Sequence, residues 1–226
     1  EGGVGAVSDT DGAANAVSEN VAIGSTVGIT AAAADADGSD TVTYSLSDDA
    51  GGLFAIDANT GVVTVAGAID RETAASYDIE VTATSSDGST STQSYTINVN
   101  DIDEFDVTTP TDGDVSANIV SESAANGTTV GVTASAVDGD ATNSSVTYSL
   151  VDGGGNPVAG GPFAVDANSG VVTVADNSQL DFESATSHTI YVKATSADGS
   201  ESTESFVINV TDVNESGVGA VADSDG

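Results

Sequence analysis

The amino-acid sequence predicts an all-β fold: two tandem Greek-key β-sandwiches of about seven strands each, arranged end to end. Three observations carry that reading. The chain repeats itself, since "VTYSL" at 42–46 returns at 146–150, "FAIDANTGVVTV" at 54–65 returns as "FAVDANSGVVTV" at 163–174, and "YTINVNDIDE" at 95–104 returns as "FVINVTDVNE" at 206–215,. Within each copy apolar and polar residues alternate at period two, in runs bounded by turn residues. No segment shows convincing helical periodicity, and seven short strands in roughly 100 residues point to a sandwich.

The elements follow in order. A first strand is expected near 15–18. In "TVGITA" (26–31) Val27, Ile29 and Ala31 share a face; in "TVTYSL" (41–46) the same holds for Val42, Tyr44 and Leu46,. A hairpin turns through "DANTG" (57–61). "YDIEVTA" (77–83) aligns Tyr77, Ile79, Val81 and Ala83, and "SYTINV" (94–99) aligns Tyr95, Ile97 and Val99. Each strand should therefore present one buried and one wet face. The copies divide the chain into repeat 1 at 1–103, repeat 2 at 104–214 and the start of a third repeat at 215–226, where "ESGVGAVADSDG" echoes the opening "EGGVGAVSDTDG". That echo predicts an excerpt from a longer array.

Composition narrows the chemistry. Two Lys+Arg stand against thirty-six Asp+Glu, a formal net charge of −34. Nucleic acid and anionic membrane surfaces would be repelled, and cations are the natural partners. A hydrophobic fraction of 38% in alternating runs argues for a folded chain despite that charge,. There are no cysteines, so an extracellular location, which the acidity suggests, would not bring disulfide stabilisation,. No apolar run reaches the roughly 20 residues of a membrane span, and no membrane insertion is expected. One His and no Cys leave nucleophilic triads and zinc sites without material, and the acids cluster at domain ends rather than across a cleft, so no enzyme is expected,.

"AIDRE" (68–72) and "LDFE" (180–183) pose a question, because the second copy keeps both acids and drops the arginine. A salt bridge would have kept it. Together with "VSEN" (17–20) and "VSES" (120–123), "DAD" (35–37) and "DGD" (138–140), "VTYSL", "FAIDANTG", "VNDIDE" and "VTDVNE", these motifs resemble, in order and spacing, the cadherin repeat of the kind found in tandem in very large bacterial surface adhesins. The resemblance covers essentially the whole chain, twice.

What the resemblance implies is Ca²⁺ bound at the junctions between consecutive repeats. Carried over residue by residue, the central junction would use Glu19, Asp70 and Glu72 from repeat 1, Asp101, Asp103 and Glu104 from the linker, and Asp138 and Asp140 from repeat 2. The lower set of the next junction would be Glu122, Asp181, Glu183, Asp212, Asn214 and Glu215, its upper partner lying past Gly226. Asp35 and Asp37 would be the upper half of a preceding junction, with Glu1 a remnant of its linker, and the central ions should be held more tightly than those at either end. The chemistry agrees with the assignment: Ca²⁺ takes six to eight oxygen ligands. Two carboxylates about 4 Å apart repel by roughly 4 kcal/mol at an effective dielectric of 20, so a converging cluster needs counter-charge. Asp70 and Glu72 would face the metal, and Arg71 between them would be dispensable.

The resemblance is incomplete in places. Ser85 and Ser196 stand where the family usually has an Asp, and Asp198 of "ADG" either substitutes or simply forms a hairpin turn,. The linkers close with Glu104-Phe105 and Glu215-Ser216 where Asp-Asn is common in the family. "DTDG" (9–12) and "TDGD" (111–114) are ligands or solvated turns. His188, aligned with Tyr77, is expected to be structural or half-exposed. "DGGGNPVAGG" (152–161) is read as a longer loop, because no Lys follows it and no helix opens after it,. Asn126, Asn143, Asn209 and Asn214 begin Asn-x-Ser/Thr sequons, relevant only in a eukaryotic host. The implied function is a calcium-rigidified extender at a bacterial cell surface, a monomer whose partners are Ca²⁺ and neighbouring repeats of its own chain. The alternative is a sandwich that itself grips a glycan or another copy of itself, which an aromatic content of 4% with no Trp disfavours.

Overall fold

The structure is a computed structural model in which residues 2–215 are described. The repeat start expected at 215–226 lies almost wholly outside them. The chain gathers into two compact units, one ending at Glu104 and taking in Asp140–Thr142, the other running from Phe105 to Gly139 and resuming at Asn143.

The first unit contains β1 (Ser8–Asp9), β2 (Ala16–Ser18), β3 (Thr26–Ala32), β4 (Val42–Asp48), β5 (Phe54–Ile56), β6 (Val62–Val65), β7 (Ser76–Ser85) and β8 (Thr90–Asn100). They form two four-stranded sheets, β1-β3-β6-β5 and β2-β8-β7-β4. All pairings are antiparallel except β2 with β8, where Val17 lies opposite Val99. The second unit repeats the plan with β9 (Thr111–Asp112), β10 (Ile119–Ser121), β11 (Thr129–Ser135), β12 (Val146–Val151), β13 (Phe163–Val165), β14 (Val171–Val174), β15 (Ser187–Ser196) and β16 (Glu201–Thr211). Its sheets run β9-β11-β14-β13 and β10-β16-β15-β12. The described residues thus hold eight strand segments per unit rather than seven, because the opening edge is split: β1 and β9 pair on one sheet and β2 and β10 on the other. A single 3-10 turn, Asn177–Gln179, interrupts the β structure.

The period-two faces are the buried faces. Val27, Ile29, Ala31, Ile79, Val81, Ala83, Ile97 and Val99 enter the first core, where Phe54, Val63 and Val65 meet them. Val42, Tyr44 and Leu46 face the same core but are only partly buried. Their strand is a sheet edge, and the Tyr44 ring stays at the rim because its hydroxyl accepts the Ala33 N–H at 2.9 Å. Tyr148 repeats the contact with Ala136.

The "DANTG" hairpin shows how the acids serve the backbone. Asp57 Oδ1 accepts from the N–H groups of Asn59 and Thr60 and from the Thr60 hydroxyl, an Asx-type turn that joins β5 to β6,. Gly61 completes it with φ of 69°, and a Cβ there would lie 2.1 Å from the Ala31 carbonyl oxygen, so only glycine fits,. Asp166 and Gly170 build the same turn in the second unit. These hydrogen bonds, the Thr60 N–H foremost, hold the Asp57 carboxyl below its ordinary pKa. A carboxylate whose folded pKa is depressed contributes stability above the ordinary aspartate pKa of about 3.9 and loses it as the pH falls through the folded value. Asp57→Ala should therefore lower the Tm of the first unit by a few degrees at pH 7, and the gap to wild type should narrow as the pH falls below the ordinary aspartate value of about 3.9. Thermal melts across that pH range check this; a gap of constant size would mean that the ionised carboxylate does not hold the turn.

Candidate metal centres

Carboxylates gather at both ends of the first unit and at one end of the second. At one end of the first unit, Glu19 follows β2 and is only 1% exposed. Its Oε2 accepts the Arg71 N–H at 2.7 Å and its Oε1 the Ile102 N–H at 2.6 Å. The chain's one arginine thus participates through its backbone, which explains why Phe182 can take its place: Glu122, 5% exposed, accepts the Phe182 N–H at 2.6 Å and the Val213 N–H at 2.5 Å. Among the described residues the one salt bridge is Lys193 with Glu201, so the acids of these ends have no side-chain counter-charge.

Around each buried glutamate stand the acids flanking that backbone contact. Glu19, Asp70 and Glu72 can each bring an oxygen within 4.8 Å of the others, as can Glu122, Asp181 and Glu183. Asp70 accepts from the Thr73 hydroxyl and N–H, and these hold its carboxyl below the ordinary range. Asp181 is lowered the same way by Ser184. Glu72 is raised, first by loss of solvent and then by the Glu19 and Asp101 charges, although it accepts the Ala141 N–H at 2.8 Å.

The linker acids extend the first cluster. Asp101 Oδ2 accepts from the Thr142 N–H and hydroxyl, while its Oδ1 is buried with no hydrogen-bond partner. Asp103 is exposed two residues later. The Glu104 N–H donates to Asp140 Oδ1 at 3.1 Å, and Asp140 is 5% exposed. The Glu104 carboxyl is raised by desolvation and by the Glu19 and Glu72 charges, with Asn20 donating to it at 3.3 Å. The first unit therefore brings Glu19, Asp70, Glu72, Asp101, Glu104 and Asp140 into one electrostatic neighbourhood. Asp138 belongs to the second unit, in the coil after β11. In that unit Asp212, Asn214 and Glu215 are exposed after β16, and Glu215 is pushed up first by Glu122 and also by Glu183, Asp181 and Asp212.

At the opposite end of the first unit, Asp35 Oδ1 accepts the Asp37 N–H and Asp37 Oδ2 the Gly2 N–H. Asp40 joins them within 4.8 Å. It was absent from the sequence-derived ligand set, although the spacing in "DADGSD" was its signal. Asp35 Oδ2 is buried without a hydrogen-bond partner. Ser85, in the place of the family's usual Asp, has a buried hydroxyl without a partner, whereas Ser196 donates to the Asn143 carbonyl. The remaining doubtful acids have turn duties: Asp9 accepts from Asp11 and Thr30 N–H, Asp11 from Ala13, Asp87 from Ser89 and Asp198 from Ser200.

Two substitutions separate backbone from side-chain roles. Arg71→Phe should change stability by no more than about 0.5 kcal/mol, because its N–H contact survives. Glu19→Ala should cost about 1 to 3 kcal/mol even without metal, since two partly buried N–H groups lose their acceptor,. Urea unfolding of both variants in chelator tests the order; equal costs would contradict the backbone role of position 71.

Comparison with known proteins bears on the family and the fold. The Cadherin domain family matches residues 14–100 and again 117–211. Human Protocadherin Fat 1 is 35% identical over 207 residues, 88% of this chain and 4% of its own length. Protein dachsous of Drosophila melanogaster is 34% identical over 207 residues, 88% of this chain and 6% of its own length. The chain thus spans a small fraction of the curated relatives it matches. Among solved structures, mouse Cadherin-23 EC22-24 superposes with a TM-score of 0.71 at 25% identity, covering 95% of this chain and 68% of that one. With the family matched twice over most of its length, the chain belongs to the cadherin domain family.

Proposed function

We propose that these repeats form a calcium-rigidified extender of an extracellular adhesion protein. Ca²⁺ held by Glu19, Asp70, Glu72, Asp101, Asp103, Glu104, Asp138 and Asp140 would stiffen the connection between repeat 1 (1–103) and repeat 2 (104–214). Glu122, Asp181, Glu183, Asp212, Asn214 and Glu215, and Asp35 with Asp37, would serve the adjoining connections. The observation that carries this reading is Glu19: a buried carboxylate ringed by further acids that form no salt bridge among the described residues, in a chain of net charge −34. The donor set fits Ca²⁺ because it consists of hard oxygen ligands, and Asp101 Oδ1 is a buried oxygen still in need of a partner,. The reading of the parent as a large bacterial surface adhesin rests on the resemblance of the ordered motifs alone, such as "VSEN", "DAD", "AIDRE" and "VNDIDE". The curated relatives named above are animal proteins.

Removing Ca²⁺ should lower the melting temperature while leaving each sandwich folded. Extracellular calcium modules bind at about 10⁻⁴ to 10⁻³ M, so 10 mM Ca²⁺ adds roughly 1.4 to 2.7 kcal/mol per site by mass action. Calorimetric melts and small-angle scattering with Ca²⁺ and with chelator test this. A melting curve and scattering profile unchanged by chelator would refute the calcium reading.

A further inference from the structure

We infer that Phe105 is a positioning residue for the acids of the "DGD" loop: its ring occupies the space that a side chain at Gly139 would need, and the contact holds that loop against residues 105–108. Both sides of the contact belong to the second unit. The inference rests on the calcium reading above and adds to it a residue that is not itself a ligand.

A Cβ at Gly139 would lie 2.9 Å from Phe105 Cγ, 3.2 Å from Cδ2 and 3.3 Å from Cβ. Two of these atoms are at the root of the aromatic side chain, so a small swing of the ring tip would not relieve the clash. The backbone gives no other reason for glycine here, because Gly139 is not among the residues with positive φ,. Phe105 is 48% exposed and stands outside the second core, so burial does not explain the aromatic either. The flanking contacts keep the two stretches side by side: the Thr108 N–H donates to the Val137 carbonyl at 2.8 Å, and the Val137 N–H donates to Thr108 Oγ1 at 2.9 Å.

The first repeat makes the same contact with the sizes exchanged. Residues 2, 5, 34 and 36 correspond to 105, 108, 137 and 139, and the Gly5 N–H donates to the Ala34 carbonyl at 2.9 Å as Thr108 does to Val137. There the side chain is Ala36 and the glycine is Gly2, where a Cβ would lie 2.6 Å from the Ala36 Cβ. Each pair thus admits one side chain, supplied by the acidic loop in the first repeat and by the residue after Glu104 in the second. Ala36 also shows that a Cβ between the two acids suits this loop, so the glycine of "DGD" is matched to Phe105. Asp138 and Asp140 directly flank it, and the affinity of a Ca²⁺ site depends on how rigidly its carboxylates are held.

The test compares four forms of the whole 226-residue chain: wild type, Gly139→Ala, Phe105→Gly and the double variant, which carries the first repeat's pair. In chelator, NMR hydrogen exchange at the Thr108 amide reads the contact without metal, and the Val192 amide in β15 is the control for the fold,. Gly139→Ala should speed Thr108 exchange about three- to thirtyfold relative to Val192, because the added methyl drives the stretches apart. In the Phe105→Gly background the same substitution should change it less than about twofold. With Ca²⁺ titrated in, the Asp138 amide shift should give a midpoint about three- to tenfold higher for Gly139→Ala than for wild type. Phe105→Gly should raise that midpoint about two- to fivefold, and adding Gly139→Ala to it should raise it no further. Thr108 exchange unchanged by Gly139→Ala would overturn the proposal while leaving the calcium reading standing. Equal effects of Gly139→Ala in both backgrounds would overturn it too, since the demand for glycine would then lie elsewhere than Phe105. A wild-type Asp138 amide that ignores Ca²⁺ would overturn the calcium reading and the positioning role together.

Discussion

Glu19 and its counterpart Glu122 are the constraint on which the ends of the two units depend. Each is a carboxylate removed from water that accepts two backbone N–H groups from distant stretches of chain: Arg71 and Ile102 for Glu19, Phe182 and Val213 for Glu122. Burying a carboxylate is tolerable only when its oxygens are satisfied. Once they are, the side chain fixes three segments at one point: the end of the second strand, the acid-flanked loop, and the segment following the last strand. The acids beside those N–H groups are thereby delivered to the same place. The gathering of these acids at one end of each unit is thus a product of one pair of hydrogen bonds, and the excess negative charge is the cost that a cation would offset.

The remaining acids divide by what surrounds them. Asp57, Asp87, Asp114, Asp152, Asp166 and Asp176 each sit at the start of a tight turn whose own N–H or hydroxyl donors lower the carboxyl pKa. They act on the backbone and need no ion. Glu72, Glu104 and Glu215 have the opposite balance: desolvation and like charges outweigh their donors and push them up. Asp70 and Asp181 combine the two conditions, since a hydroxyl-bearing neighbour holds each in position while it stands within reach of the buried glutamate. A carboxylate oxygen has more than one lone pair, so such a group can keep its turn bond and still serve a cation. Local hydrogen bonding therefore distinguishes structural acids from candidate ligands better than acidity alone.

Much of this was legible from residue order. Period-two alternation placed Val27, Ile29, Ala31, Ile79, Val81, Ala83, Ile97 and Val99 in the core, because a strand with one buried face admits little else,. Duplication singled out position 71 as variable in side chain, and the structure adds that its N–H donates to Glu19. The two-residue strands β1 and β9 escaped, since two residues carry no period and their pairing depends on a partner strand more than twenty residues away. Asp40 escaped because its approach to Asp35 and Asp37 is a property of the folded loop. Linker acids such as Asp101 were legible as ligand types, but the orphaned oxygen of Asp101 required coordinates.

The two repeats also show where the fold restricts chemistry and where it leaves room. Gly61 and Gly170 cannot vary, because a side chain would strike the carbonyl of the neighbouring strand. Positions 71 and 182 differ in side chain while both donate their N–H to the buried glutamate, and Phe182 in addition packs its ring against the second core. Tyr77 and His188 hold the same edge-on contact with a phenylalanine, yet the imidazole ends in a buried nitrogen beside a longer connection. That connection closes on itself through its own backbone bonds, and β12 stays in unbroken register with β15 as far as Val151 opposite Tyr191, where β4 has a bulge between Leu46 and Asp48. The sandwich can thus accept a longer connection on one face while the acid-bearing ends keep the same backbone contacts to Glu19 and Glu122.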